Sequence, residues 1–185
     1  MKNAIIVHGM SSVEEKESPS QKHWLPWLKT QLEKEGYMVY VPEFPVPYLP
    51  EYFAWKSVFD ETIPLHTETV LVGHSCGAGF IVRYVSEENV CVGNVLLVAP
   101  WVDTQNILKN NFFNFEIQSS LVEKTRGIDV LYSTDDDEEI IETVAILEKE
   151  IPQAHFHEFT DRGHFTTEPG YENDTLPEVL EIIKK

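Results

Sequence analysis

One serine stands where a hydroxyl can be turned into a nucleophile. In Gly73-His74-Ser75-Cys76-Gly77, Ser75 lies between two glycines, after the apolar run at residues 69–72 and before the small residues Gly77, Ala78 and Gly79. A strand, a sharp turn and a helix in that order would strain the serine backbone and leave Oγ standing clear at the strand's end. The helix would also direct its positive N-terminal end toward the same point. The letters G-x-S-x-G recur by chance, so the frame around them carries the weight.

A neutral hydroxyl needs a base, and the chain has seven histidines. His164, in Phe159-Thr160-Asp161-Arg162-Gly163-His164-Phe165, follows the last apolar run after an Arg-Gly turn and is the candidate base. His155 and His157 lie inside that run and read as packing or solvent-facing residues. His66 lies in a loop, His23 begins a helix, and His74 should point away from the Ser75 hydroxyl. The base in turn needs an acid to orient it. Asp135, Asp136 and Asp137 follow the fifth apolar run and give the chain order Ser…Asp…His. Only one of three consecutive aspartates can face the histidine; the others are available to cap the helix that starts near Glu138. Asp103, after the fourth run, competes for the role, whereas Asp129 and Asp161 read as structural. Spacing alone leaves the choice within the triplet open. Backbone N–H groups of Cys76 and of Met10, in the loop after the first strand, are the candidate oxyanion donors. The Cys76 thiol lies one residue past the apex of the turn and is a poor alternative nucleophile.

Six apolar runs, at residues 4–7, 37–41, 69–72, 95–98, 129–132 and 155–159, alternate with helical patterns at about 24–34, 52–63, 76–86, 138–150 and 176–184. Such alternation predicts an α/β fold with a mostly parallel sheet and helices on both faces. Ligands in such sheets bind beyond the carboxyl ends of the strands, where all the residues above would lie. The proline-rich piece Val41-Pro42-Glu43-Phe44-Pro45 reads as a rigid loop. The irregular stretch that includes residues 104–120 could form a lid or a pocket wall.

The 185 residues fit one domain, residues 1–185, and 42% of them are apolar. A net charge of −17 argues against nucleic acid and anionic membranes as partners. The apolar start is too short for a signal peptide or a membrane span, and two cysteines make no disulfide or metal framework. A cytoplasmic protein is expected, with no metal and no cofactor. Oligomeric state is left open.

With these residues in hand, the chain resembles the retinoblastoma-binding protein 9 family of small α/β-hydrolases nearly end to end. The likeness runs through Ala4-Ile5-Ile6-Val7-His8-Gly9, the elbow at Val72-Gly73-His74-Ser75, Ser133-Thr134-Asp135-Asp136-Asp137, and the His164 turn. It implies a compact α/β-hydrolase fold with a six-stranded sheet and no large cap domain. It also implies serine hydrolysis of small acyl substrates, with Ser75 as nucleophile and His164 as base. The family's S-x-D-D-P places the acid on Asp136, with Asp137 here in place of the proline. The retinoblastoma-binding segment L-x-C-x-E has no match around Cys76 or Cys91, so that partnership is not expected. A carboxylesterase-type hydrolase is therefore expected, with Trp24, Trp101, Phe112 and Phe165 as candidate pocket walls. The competing expectation is a regulatory protein-binding module that keeps the fold without the chemistry. An intact Ser, Asp and His set counts against it.

Overall fold

A computed structural model describes residues 2–14, 18–62 and 64–185. Strands β1 (Asn3–Val7), β2 (Met38–Tyr40), β3 (Val70–His74), β4 (Asn94–Val98), β5 (Gly127–Ser133) and β6 (His155–Phe159) form one sheet in the order β2-β1-β3-β4-β5-β6. Every pairing in it is parallel. β1 and β3 are buried at every residue, which is why they read as unbroken apolar runs: both faces are covered.

The two-residue period of the strands divides the interior into two cores. Ile5, Val7, Leu71, Val95, Leu97 and Val130 face α2 (Tyr52–Thr62), α3 (Cys76–Glu87) and most of α4 (Glu138–Glu150). Ala4, Ile6, Val72, Leu96, Val98 and Leu131 face α1 (Leu25–Lys34) and α5 (Pro177–Ile183). The expected α/β-hydrolase architecture, with helices on both faces and no large cap domain, is the one observed.

Element boundaries move by one or two residues from expectation, and residue 63 lies outside the described residues. Two features were not expected. Short 3-10 helices occupy Pro19–Gln21 and Ser119–Lys124. A two-stranded antiparallel ribbon, β7 (Thr167–Glu168) with β8 (Tyr171–Glu172), follows the His164 turn. His155 and His157 share one face of the edge strand β6, and His157 Nε2 lies 2.7 Å from a carboxylate oxygen of Asp129. The irregular segment after β4 is tied to the body of the molecule around residues 110–112, while its Gln105 and Ile107 line a cleft beside Ser75. Arg83 of α3 donates to the carbonyls of Asn111 and Phe112 at 2.5 and 2.7 Å, and the Asn110 amide donates to Pro50 O. Among the described residues no helix is long and apolar enough to cross a membrane.

Candidate active site

Ser75 joins β3 to α3 with φ 55° and ψ −123°. Such a backbone costs a β-carbon residue about 1–3 kcal/mol and persists only where its surroundings hold it. Here they do. Ser75 N–H donates to Val98 O at 2.9 Å, and Ser75 O accepts from the N–H groups of Ala78, Gly79 and Trp101. Two glycines permit the packing behind the turn. A Cβ on Gly77 would lie 2.3 Å from His8 O, and one on Gly79 would lie 2.0 Å from Trp101 O.

The turn after β6 carries His164 over this apex. His164 Nε2 lies 2.8 Å from Ser75 Oγ, and Nδ1 lies 2.9 and 3.0 Å from the two carboxylate oxygens of Asp136. A carboxylate only accepts, so Nδ1 carries the proton and Nε2 is left to accept from the serine hydroxyl. The Asp136 side chain is 1% exposed, against 26% for His164, so the ion faces little water except through the imidazole. Of the other acids weighed, Asp135 faces away, toward Ser133 Oγ, Gly163 N and Tyr171 OH. Asp137 heads α4 without a side-chain cap bond. Asp103 accepts from the N–H groups of Ile107 and Leu108, within its own loop.

Gly9 packs against the serine, since a Cβ there would lie 3.1 Å from Ser75 Cβ. Met10 follows it at the edge of a cleft of about 220 Å³ that also includes His23, His74, Ser75 and His164. Cys76 is fully buried, and burial pushes its thiol well above the usual range, which removes it as a nucleophile.

A second cleft, of about 460 Å³, opens on the other side of Ser75 and His164 between Trp101, Gln105, Ile107 and the start of α4. Three carboxylates line it: Asp137, Glu138 and Glu139. Glu139 accepts from Trp101 Nε1 at 2.6 Å. The acidity of the chain thus reaches the mouth of the site.

Of the four aromatic residues expected as pocket walls, Trp101 alone lines a cleft beside Ser75. Trp24, Phe112 and Phe165 are core residues, each at most 1% exposed. Trp24 and Phe165 pack in the core beneath α1 and α5, and Phe112 in the core beneath α2 and α3. Trp24 and Phe165 each adjoin a site residue in sequence, His23 and His164, while their own side chains turn inward.

Two histidines have partners that the sequence did not announce. His74 directs Nε2 to the backbone carbonyl of His164 at 2.8 Å, away from Ser75 Oγ as expected. Burial, and then the neighbouring His164, hold it well below the ordinary histidine range. His8 is wholly buried; its Nδ1 meets Gly9 O at 2.7 Å, and its Nε2 accepts from Phe44 N–H. The available signal was its position, at the end of an all-apolar strand and before a glycine turn.

A family model described as serine hydrolase matches residues 4–185. The chain belongs to that family. It is 27% identical over 191 residues to YdeN of Bacillus subtilis (strain 168), covering 98% of this chain and 94% of YdeN. The crystal structure of the B. subtilis ydeN gene product superposes with a TM-score of 0.83 at 26% identity, over 100% of this chain and 97% of that one. Est1E from Butyrivibrio proteoclasticus, in its structure with ferulic acid bound, has a TM-score of 0.67 at 12% identity over 100% and 87% of the two chains. At that identity the likeness is one of fold.

Proposed function

We propose that this serine hydrolase family member is a carboxylesterase-type enzyme acting on small acyl esters through Ser75, His164 and Asp136. The observation that carries the reading is the unbroken hydrogen-bond chain from Ser75 Oγ through both ring nitrogens of His164 to the buried Asp136 carboxylate. As Oγ attacks the ester carbonyl, its proton passes to His164 Nε2, and Asp136 stabilises the imidazolium. The N–H groups of Met10 and Cys76 receive the developing oxyanion. The imidazolium then protonates the departing alcohol, and a water molecule activated by His164 cleaves the acyl-enzyme. No step needs a metal ion or an organic cofactor.

Carboxylates at the wider cleft repel like charge, so neutral and cationic esters are the expected substrates. Kinship with the retinoblastoma-binding protein 9 branch rests on the Ser133-Thr134-Asp135-Asp136 segment together with the elbow.

The test is intact-mass analysis after incubation with a fluorophosphonate probe. One adduct on the wild-type protein, lost in Ser75→Ala, is the expected result. A folded wild-type protein that takes up no probe would favour the regulatory binding module over the enzyme.

A further inference from the structure

His164 sits in a turn whose backbone is held almost entirely by side chains. Ser133 Oγ, fully buried at the end of β5, accepts from Arg162 N–H at 3.1 Å. Asp135 Oδ1 accepts from Gly163 N–H at 3.0 Å and from Ser133 Oγ at 2.5 Å. Asn173, 1% exposed, donates to the carbonyls of Arg162 and Thr166 at 2.9 and 3.0 Å. Tyr171 of β8 donates its hydroxyl to Asp135 Oδ2 at 3.0 Å. Its ring also lies on Gly163, where an added Cβ would come within 2.8 Å of it.

We propose that Asp135 is a positioning residue, whose carboxylate fixes the Gly163 backbone so that the His164 ring meets Asp136 on one side and Ser75 on the other. The inference rests on the hydrolase reading for its kinetic consequence alone; its structural consequence stands apart from any activity. Two neighbouring aspartates on one turn divide the task. Asp136 holds the ring, Asp135 holds the main chain at the residue just before that ring, and the Asp136 N–H bond to Ser133 O ties both to the end of β5. A displacement of the turn carries both partners together, so the ring geometry survives it. Asp135 is kept ionised, first by the Ser133 hydroxyl and then by Gly163 N–H and Tyr171 OH.

An amide can accept from Gly163 and Ser133 through its oxygen and donate to the Tyr171 oxygen, whereas alanine can do neither. Asp135→Asn should therefore keep the function that Asp135→Ala loses. The experiment compares wild type, Asp135→Ala, Asp135→Asn and Asp136→Asn, each first checked for a cooperative thermal transition. The low-field proton resonance of His164 Nδ1–H should persist in wild type and Asp135→Asn and broaden or vanish in Asp135→Ala. In the ester assay, kcat of Asp135→Ala should fall by roughly 10- to 100-fold with KM little changed, as expected of a small misplacement of a reacting group. Asp135→Asn should stay within about threefold of wild type, while Asp136→Asn falls on the order of 10⁴-fold. An Asp135→Ala protein that keeps both the resonance and its kcat overturns the proposal. So does an Asp135→Asn protein as impaired as Asp135→Ala. If the wild type hydrolyses no ester, the resonances alone decide.

Discussion

His74, immediately before the candidate nucleophile, hydrogen-bonds the backbone carbonyl of His164 at 2.8 Å. The elbow therefore holds the candidate base at two points, its backbone carbonyl through His74 and its ring through Ser75 Oγ, which couples the two parts of the site. Loss of this bond should misalign His164. His74→Ala is expected to lower kcat by about tenfold or more, with a smaller effect on KM. A variant with wild-type kcat would show that the contact only fills space.

Because His74 and His8 are buried and held below the ordinary histidine value of 6.5, the unfolded chain binds protons that the folded chain refuses. Their contribution to stability is intact above pH 6.5 and is lost as the pH falls below it. Each group makes the unfolding free energy drop by up to about 1.4 kcal/mol per pH unit. Urea unfolding between pH 7.5 and 5, above the range where most carboxylates titrate, should show this slope. A flat profile would mean that both rings take up protons in the folded state.

Glycine substitutions should separate close packing from free space. Gly77→Ala must displace the His8 carbonyl and should cost about 1–3 kcal/mol or more. Gly127→Ala at the start of β5 meets no atom within 4 Å and should be close to neutral. Equal stabilities in urea for the two variants would contradict the packing at the elbow.

The aromatic residues offer a similar contrast. Trp24→Ala and Phe112→Ala should each destabilise the fold by about 3–5 kcal/mol, and the folded remainder should keep its substrate preference. Trp101→Ala should instead shift KM across an ester series, since Trp101 borders the wider cleft. A changed preference in Trp24→Ala would return that residue to the site.

Charge at that cleft makes a further prediction. Replacing Glu138 with Gln should raise kcat/KM for an ester bearing a carboxylate by about two- to fivefold at low salt, with the gain shrinking as salt is added. An equal gain for a neutral ester would point to shape rather than charge.

How far the sequence foretold this arrangement varied with the physics of each part. Buried parallel strands need apolar side chains on both faces, so the strands through Ile5, Leu71 and Leu96 were plain to read. The ribbon that pairs Thr167 with Glu172 was not, because strands of only two residues are too short to show a periodicity. Asp135 and Asp136 are chemically identical neighbours; which one faces His164 depends on the path of the turn, to which spacing is blind. Trp24 and Trp101 pose the same difficulty. An indole suits a core as well as a cleft, and only packing separates them.

The sheet order also sets a schedule. Ser75 follows a central strand, Asp136 follows the strand beside the edge, and His164 follows the edge strand itself. A ribosome making this chain releases the hydroxyl first and the imidazole 89 residues later. A growing chain therefore carries the Ser75 hydroxyl without its His164 partner while those 89 residues are added, and on the proposed reading reactivity can arrive only after the edge strand has docked.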